Sequence, residues 1–575
     1  MIHTRPILLP TLLLTAVCRV IAQDGSAALP IAGGPESVFS PFYDLTIVHV
    51  NTPGHPTNVV PGVGAPFRAG GTGTSAFERP WICSTGANLA INVVAGAPAV
   101  TADDDVLLRN GALLLREGSP APWAAGQNVG TIDPDLAINA AGHVLFGNNV
   151  APATTLDDYI AFFDGSTWSV LAQEGQPTPA GGTWSSSIDS AALTDTGATY
   201  WRDGAIGGLP TANNAMVTLA GVAVQLQKGI TVPLLQAGGA TNTWENFSLN
   251  RVYTSPDGTQ VMVLGDTNGP TTGDFVLTIN NVVFIQEGQP LPGSSFVSNV
   301  STIGKAWFDG AGNWYARGSN ADANDWIVRN GVLLADSSGG SEVVAGSGEF
   351  FDDATFTACF FCMDGNTFGQ RVFGGVTTAP ATSNGVLVFE DATGFRRVIA
   401  RESDPIDMDG NGLFDDDRFF NTFGDDDVLL QNDGTVVFTA TLKNAAGAAV
   451  DQGLFRLVPR SASCTLRNGN NINPVALTCV TPPVLGTTWS LAVTSGPQTL
   501  VTGVFLSTAP VAPTPLLGYE LLVAFPVAEM PTTFPLPAAM KFLGLEVFLQ
   551  GLRVDWNGFD YVYVPTNAQD VVLGF

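Results

Sequence analysis

The sequence predicts an all-β protein that consists of a seven-bladed β-propeller followed by a C-terminal β-sandwich. A short elbow motif recurs about every 55–60 residues, and a polar turn ending in glycine recurs between the elbows. The 575 residues include 65 Gly and 38 Pro, and only 13% are charged. This composition is too apolar for a disordered chain and too rich in turn formers for a helical one.

The elbow is clearest at residues 174–179, where EGQPTP follows a predicted strand–turn–strand unit. Similar copies occur at residues 117–122 and 287–292, and weaker ones begin at Lys228 and Glu402. A motif that returns at a fixed period indicates a repeat architecture in which each copy is one supersecondary unit.

Seven polar turns indicate a first hairpin in every unit. Their glycines are Gly86, Gly142, Gly197, Gly258, Gly312, Gly365 and Gly434. Tight hairpin turns need a positive φ, which glycine adopts at no steric cost. A second hairpin follows each of the first six, with turns such as Asn110-Gly111. Two hairpins form a four-stranded sheet, so the pattern predicts seven blades over residues 41–460.

The seventh unit lacks one strand, because residues 453–458 form a strand with no partner after it. Residues 45–50 (LTIVHV) form a strand with no hairpin before it. We therefore expect the N-terminal strand to complete the last blade and close the ring, which removes exposed sheet edges. The alternative is an open stack of repeats.

Both repeat signals stop after Arg460. Residues 461–575 contain short apolar strands separated by Pro and Gly, which predicts a β-sandwich with residues 461–474 as its linker and entry. The predicted strands cover residues 489–493, 500–506, 521–525, 545–554, 561–564 and 571–575.

Residues 1–22 have the features of a secretory signal, with Arg5 before a short apolar core and a cleavage site near Ala22. Residues 23–40 would then lead into the propeller. Cys18 is a weaker indication of a lipoprotein signal. No other stretch is long and apolar enough for a transmembrane helix.

The formal net charge is −28, and it becomes about −30 when the two arginines of the signal are removed. Nucleic acid and anionic membranes would be repelled by such a protein. Cations are its natural partners, although acidity also serves simply to keep a secreted protein soluble.

The six cysteines are too few to form the main framework of so long a chain. Cys464 and Cys479 are candidates for a disulfide in an oxidising compartment. Cys359 and Cys362 are three apart in a predicted strand, so regular alternation places them on opposite faces. Cys83 is left over.

Residues 407–415 (DMDGNGLFD) have the spacing of a calcium-binding loop. The candidate ligands are Asp407, Asp409, Asn411, the carbonyl of Leu413, and Asp415. Ca²⁺ prefers such hard oxygens in a flexible loop, and Gly412 allows the sharp turn. A helical EF-hand is excluded because Arg418 occupies its position twelve. The alternative is an acidic, solvated turn.

Other acidic residues are interpreted as structural. The runs at residues 103–105 and 425–427 precede strands and are expected to be solvated turns. Glu117, Glu174 and Glu287 occupy equivalent places in three elbows, which favours hydrogen bonds within the repeat over a single active site.

Aromatic residues follow four elbows: Trp123, Trp184, Trp244 and Phe296. We expect them to pack between blades, and the alternative is that they stack on sugars. Sequence signatures of serine hydrolases, zinc proteases and P-loop proteins are absent. His143 directly follows a turn glycine and is interpreted as a tolerated turn residue.

With the repeat in place, the chain resembles a group of uncharacterised secreted bacterial repeat proteins that are common in planctomycetes. The likeness rests on the EGxPxPGG elbow at residues 174–182, the NxxGxxxF hairpin at residues 139–146 and the acidic insertion at residues 407–415. Residues 542–575 are similar to a C-terminal β-domain of exported planctomycete proteins. The acidic insertion also resembles the calcium loops of integrin-α-type propellers. These resemblances imply export and an all-β fold but no activity.

We therefore expect a secreted, non-enzymatic extracellular or cell-surface protein with a binding or structural role. Calcium would stabilise it, and its ligand would be a glycan or a surface protein. The alternative is a propeller enzyme that degrades polysaccharide with carboxylates of the central channel. Close carboxylates in an open channel favour the enzyme, whereas a plugged channel favours binding.

Overall fold

The computed structural model describes residues 42–69, 75–96, 103–132, 136–152, 155–218, 223–294, 296–352, 358–525, 527–537 and 542–574. The predicted signal at residues 1–22 and the lead-in at residues 23–40 lie outside the described residues. The fold is all-β, as predicted, with antiparallel pairing throughout the described sheets.

Seven sheets follow one another along the chain, each ordered as a simple meander. Sheet 1 contains β2 (Phe77–Ile82), β3 (Leu89–Val94), β4 (Asp105–Arg109) and β5 (Ala112–Arg116). Sheet 2 contains β6 (Asn128–Val129), β7 (Leu136–Ile138), β8 (Val144–Ala151), β9 (Asp158–Phe163) and β10 (Trp168–Gln173). Sheet 3 contains β11 (Ile188–Leu193), β12 (Thr199–Asp203), β13 (Ala215–Thr218) and β14 (Ala223–Gln227).

The next three sheets repeat this order, and a short 3-10 helix, Ala237–Gly239, precedes the first of them. Sheet 4 contains β15 (Trp244–Thr254), β16 (Val261–Thr267), β17 (Phe275–Ile279) and β18 (Val282–Gln286). Sheet 5 contains β19 (Val300–Phe308), β20 (Trp314–Asn320), β21 (Asp325–Arg329) and β22 (Val332–Asp336). Sheet 6 contains β23 (Phe360–Gly365), β24 (Arg371–Val376), β25 (Gly385–Glu390) and β26 (Arg396–Arg401).

Sheet 7 joins the two ends of the repeat region. It contains β27 (Phe419–Leu430), β28 (Val436–Lys443), β29 (Ala449–Pro459) and β1 (Tyr43–Val50). The N-terminal strand β1 pairs with β29 from Tyr43 opposite Pro459 to Val50 opposite Gly453. The predicted pairing of the first strand with the last sheet is therefore confirmed.

The seven sheets contact one another in a closed series. The first strands β2, β7, β11, β15 and β19 contact each other in that order, and β21 continues the series to β23. Strand β23 contacts β27, and β27 contacts β2. Apolar side chains of neighbouring sheets are buried against each other, as where Ala90 and Leu107 of sheet 1 meet Phe146 of sheet 2.

One predicted turn was wrong. Gly365 ends β23, and the turn that follows uses Asn366 and Gly369 instead. Gly369 has φ +75° and its N–H donates to the carbonyl of Asn366 at 3.1 Å, as Gly142 donates to Asn139 at 2.8 Å. The two glycines are four residues apart, so local spacing alone did not separate them.

The C-terminal residues form three further sheets. The largest contains β30 (Ser463–Arg467), β39 (Tyr561–Val572), β38 (Glu546–Trp556), β33 (Thr499–Ser507) and β36 (Ala528–Met530). A second contains β31 (Leu477–Thr481), β32 (Thr488–Val493) and β37 (Thr533–Pro535), and a third pairs β34 (Pro510–Leu516) with β35 (Tyr519–Val523). This part shares a buried core with sheets 6 and 7, in which Phe389 and Phe455 lie in one cluster with Trp489 and Leu549.

Two C-terminal expectations are corrected. Residues 461–474 are not only a linker, because they contain β30, which Arg467 ties to Asp570 of β39 by an ion pair at 2.8 Å. The two strands predicted at residues 561–564 and 571–575 are joined in the single strand β39, which ends at Val572. The polar side chains of Thr566, Asn567 and Gln569 in its middle are buried, and hydrogen bonds such as that from Asn567 Nδ2 to the carbonyl of Leu477 at 2.9 Å let the strand continue.

Candidate functional site

The predicted calcium loop lies between β26 and β27, and the structure brings two predicted ligands together with a different third acid. Carboxylate oxygens of Asp407, Asp409 and Asp416 all lie within 4.8 Å of one another. The predicted ligand Asp415 is exposed and does not belong to this group.

Backbone N–H groups organise this loop. The Asp407 carboxylate accepts from Gly410 at 2.8 Å and from Gly412 at 2.7 Å. The predicted ligand Asn411 is exposed and accepts through Oδ1 from the N–H of Leu413 at 2.7 Å. A carboxylate has several lone-pair positions, so these bonds leave oxygens for a cation, and the donor set fits Ca²⁺.

The loop also contacts the N-terminal segment that follows β1. His55 Nε2 lies 2.9 Å from the carbonyl oxygen of Met408 inside the loop. An ion held by Asp407 and Asp409 would therefore stiffen a loop that touches the segment closing sheet 7.

The acid run at residues 103–105 is not a solvated turn, which corrects the prediction. Asp104 is buried and forms an ion pair with Arg68. Asp104, Asp105 and Glu117 place carboxylate oxygens within 4.8 Å of one another. Burial, and then the Glu117 charge, raise the pKa of Asp105. Arg68 lies 36 residues before Asp104, so the sequence pattern did not reveal it.

The elbow of sheet 2 repeats this acidic group. Asp157, Asp158 and Glu174 place carboxylate oxygens within 4.8 Å of one another. Burial, followed by the charges of Asp157, Glu174 and Asp189, raises the pKa of Asp158 to about 6. Sequence reasoning singled out Glu174 but missed the two aspartates that meet it.

Two of the three elbow glutamates, Glu117 and Glu174, form hydrogen bonds within the repeat, as predicted. Glu174 Oε2 accepts from the N–H of Asp157 at 3.2 Å, and Glu117 Oε2 accepts from the N–H of Asp105 at 3.4 Å. Each of these two elbows thereby contacts the start of the last strand but one of its own sheet.

The acid run at residues 425–427 lies within β27 and takes part in an ion-pair network between sheets 5 and 7, which corrects the second turn prediction. Asp426 bonds Lys305 Nζ at 2.5 Å and Arg317 Nη2 at 3.0 Å. Asp425 bonds the same Arg317 Nη2 at 2.9 Å. Burial acts to lower the pKa of Arg317, but Asp426 and Asp425 outweigh it and raise that pKa.

The first-hairpin turns meet at one end of the ring of sheets. Asn139 Nδ2 donates to the carbonyl of Thr194 at 3.0 Å, and Gln431 Nε2 donates to the carbonyl of Gly86 at 2.8 Å, each linking neighbouring sheets.

These turns also touch across the ring. Ser84 of sheet 1 donates through Oγ to Asp195 of sheet 3. A Cβ on Gly310 of sheet 5 would lie 2.4 Å from the carbonyl oxygen of Ser84. The turns of sheets 1, 3 and 5 therefore close this end, whereas the elbows lie at the opposite end of the antiparallel sheets.

The aromatic residues that follow the elbows pack within the structure, as predicted. Trp184 and Trp244 are buried, and Trp123 and Phe296 contact the cores of their neighbouring sheets. Trp244 Nε1 also donates to Asn281 Oδ1 at 3.0 Å. This burial leaves Trp184 and Trp244 no free ring face for a sugar.

A different set of aromatic residues is exposed on the hairpin of β38 and β39, and sequence reasoning missed it. Trp556, Tyr561 and Tyr563 have 39%, 63% and 50% of their surface exposed, and we call them the aromatic platform. Trp556 lies opposite Tyr561 in the strand register, with ring centroids 5.2 Å apart. Tyr561 and Tyr563 are two residues apart and therefore lie on one face.

The structure contains the disulfide for which the sequence offered candidate cysteines. Cys464 and Cys479 form a disulfide that joins β30 to β31. Cys83, Cys359 and Cys362 are buried and lie outside this disulfide. Cys362 lies in β23, whereas Cys359 comes one residue before that strand, and the two belong to different hydrophobic clusters.

Among the described residues, no helix has the length and apolar character needed to cross a membrane.

Comparisons with known proteins give a family and distant structural similarities. The profile of a family described as "Family of unknown function (DUF7453)" matches residues 46–416. No curated protein matches the sequence. A gluconolactonase from Xanthomonas campestris is similar at 9% identity and a TM-score of 0.26, over 75% of this chain and 99% of that one.

Two further solved structures are similar at the same level. A subtype N11 neuraminidase-like protein of A/flat-faced bat/Peru/033/2010 (H18N11) has 11% identity and a TM-score of 0.23, over 75% of this chain and 98% of that one. A GH43 glycoside hydrolase has 10% identity and a TM-score of 0.20, over 86% of this chain and 94% of that one. Similarities this low carry no argument about the activity of the chain.

Proposed function

The chain belongs to this family of unknown function, and from that premise we propose that it is a secreted, non-enzymatic extracellular or cell-surface protein that binds glycan. The aromatic platform is the observation that carries the proposal. Exposed aromatic rings that are aligned on one sheet face offer flat apolar surfaces with polar edges, which suit the faces and hydroxyls of sugar rings. A surface protein is the other ligand that such a patch can bind.

The proposed scaffold is a seven-bladed β-propeller over residues 41–460, closed by the N-terminal strand, and a β-sandwich over residues 461–575. Seven meander sheets in a closed series of contacts support the propeller. The shared core between the C-terminal sheets and sheets 6 and 7 supports a C-terminal part that is packed against the propeller.

The centre of the ring favours binding over catalysis. Its closed end is formed by backbone contacts, such as that between Ser84 and Gly310. Asp425 and Asp426 are engaged by Lys305 and Arg317 and so are poorly suited to donate or accept protons from a substrate. A glycosidase needs one carboxyl group held protonated beside an ionised one, with space for the substrate between them.

A polysaccharide-degrading enzyme remains the second candidate, because Asp158 meets one requirement for it. Its pKa of about 6 lies near that of a carboxyl group that can act as a general acid at neutral pH. Carboxylate oxygens of Asp157 and Glu174 lie within 4.8 Å of a carboxylate oxygen of Asp158. In this candidate the chemistry would occur at the elbow of sheet 2, away from the closed end of the channel.

Calcium and export complete the proposal. Asp407, Asp409 and Asp416 would bind Ca²⁺ as a structural ion at the entry to sheet 7. The resemblance to secreted planctomycete-type repeat proteins and the signal-like residues 1–22 support release from the cytoplasm, with cleavage near Ala22. The proposed partners are glycans or surface proteins, without nucleic acid.

The test is retention of the mature protein on insoluble polysaccharides, scored together with released reducing sugar, in calcium and in chelator. The platform variant combines Trp556→Ala, Tyr561→Ala and Tyr563→Ala. Phe368→Ala is the matched control, since this aromatic side chain is 65% exposed on a turn of sheet 6.

Retention that the platform variant loses and the control keeps, without released sugar, supports the proposal. Released sugar that Asp158→Asn abolishes would instead establish the enzyme. Absence of retention on every polysaccharide would rule out glycan binding and direct the search to protein partners.

A further inference from the structure

A polar cavity of about 360 Å³ lies between sheets 3 and 4 at the elbow end of the ring. Asn213, Asn214 and Lys228 line it from sheet 3, and Glu245, Asn246 and Asp266 line it from sheet 4. Its volume is near the lower end of the roughly 300–1,000 Å³ that small-molecule sites occupy. The cavity is therefore large enough for a small ligand.

The repeat changes its chemistry at this cavity. The N–H of Lys228 donates to the carbonyl of Asn214 at 2.9 Å, and the N–H of Glu174 donates to the carbonyl of Asp158 at the same distance. Lys228 and Asn214 thus occupy the places of Glu174 and Asp158. An elbow that is acidic in sheets 1 and 2 carries a cation and an amide in sheet 3.

Asn214 is the feature that points to a ligand. Its side chain is 4% exposed, and Nδ2 donates to Asn246 Oδ1 at 3.0 Å. Its Oδ1 is buried and accepts no hydrogen bond from the described residues. A buried amide oxygen without a donor is unfavourable, so this position calls for a hydroxyl or N–H group from outside the chain.

The charged groups of the cavity converge from both sheets. Lys228 Nζ bonds Glu245 Oε1 at 2.7 Å. Glu245 lies in a β-bulge of β15, where an extra residue redirects the side chain. The corresponding bulges of β19, β23 and β27 carry the uncharged Ser301, Phe361 and Asn421, whereas that of β2 contains another glutamate, Glu78. Glu245 is therefore one of two glutamates at these bulges, and it is paired with Lys228.

This mixture of groups selects among ligand classes. The charge of Lys228 is already balanced by its ion pair with Glu245, so an anion gains no free cation in this cavity, and a metal ion would have to compete with Lys228 Nζ for Glu245. Neutral hydroxyl groups can accept from Lys228 and donate to Glu245 and to Asn214 Oδ1. We propose that this cavity binds a single neutral sugar unit through its hydroxyl groups, as a second binding site separate from the aromatic platform.

The test is saturation-transfer NMR of the full mature protein with glucose, galactose, mannose, xylose and arabinose as separate probes. Glu245→Gln removes the charge of a half-exposed side chain, and Glu287→Gln changes an elbow glutamate of sheet 4 that does not line the cavity. Thermal melts of both variants confirm folding. A third protein carries the platform substitutions.

We expect at least one sugar to bind, with affinity falling about tenfold in Glu245→Gln, the loss of one charge-assisted hydrogen bond. Binding should be unchanged in Glu287→Gln and in the platform variant. The proposal is overturned if no sugar gives saturation transfer, or if Glu245→Gln binds like the unaltered protein. It is also overturned if loss occurs in the platform variant instead, or if sulfate or Mg²⁺ displaces the sugar.

Discussion

Neutralising Asp426 tests whether the central ion-pair network holds sheets 5 and 7 together. Asp426 is 12% exposed and is the shared partner of Lys305 and Arg317, which are 17% and 12% exposed. Asp426→Asn keeps the size of the side chain but removes its charge, so two largely buried cations lose a common counter-charge. Removing one partner of a fully buried pair costs about 3–5 kcal/mol.

The expected loss is about 3 kcal/mol, at the lower end of that range, because Arg317 keeps Asp425 and its bond to the carbonyl of Phe360. Asp425→Asn is the matched control. Asp425 bonds the same guanidinium but is 72% exposed, so water screens it and the expected loss is under about 1 kcal/mol.

The assay is equilibrium unfolding in urea, comparing midpoints and slopes of the three proteins at pH 7. Adding Lys305→Met to Asp426→Asn should recover part of the loss, because it removes a cation that has lost its counter-charge. Equal midpoints for Asp425→Asn and Asp426→Asn would refute the reasoning, since burial would then not decide the strength of these ion pairs.

Three further outcomes are expected. Replacing Cys464 and Cys479 by Ser should lower the free energy of unfolding by about 3 kcal/mol relative to the oxidised unaltered protein, the loop-closure value for their 15-residue separation, and the reduced unaltered protein is the control that should show a similar loss. The raised pKa of Asp158 means that the folded state holds this proton more tightly than the unfolded state. That contribution is complete below about pH 4 and is lost as the pH rises through about 6, so Asp158→Asn should stabilise the protein at pH 7 but not at pH 4, by about 1 kcal/mol after solvent screening. Calcium at a hundred times its Kd should stabilise the protein by about 2.7 kcal/mol, seen as a higher Tm than in chelator, and Asp407→Asn should abolish this difference while Asp415→Asn should not. An unchanged Tm in chelator would contradict the calcium site.

Much of the fold could be predicted from the sequence because each turn and strand is specified by residues that are close together in the chain. A turn such as that at Gly142 needs a positive φ, and the residues around it suffice to reveal the need. The same locality explains the error at Gly365, where a second glycine four residues later satisfied the requirement better. The unpaired strand at residues 45–50 was informative because an exposed strand edge is unfavourable anywhere in a chain.

The candidate sites were harder to predict from the sequence, because each depends on residues that are distant in the chain. Glu174 was noticed as a repeat element, but its meeting with Asp157 and Asp158 depends on strand pairing within sheet 2. The aromatic platform required the register of β38 against β39, which no spacing in the sequence indicates. In the sequence, Lys228 marks only a weak copy of the elbow.

The sequence by itself determined the all-β class, the repeat, six of the seven turn glycines and the closing strand, since these follow from backbone conformation and the pairing of strand edges. Only the tertiary structure decided the electrostatics. Asp426 has the sequence context of a solvated turn, yet it is largely buried beside Lys305, 121 residues away. A charge can be buried only where another chain segment supplies its counter-charge, and that meeting is a property of the assembled sheets.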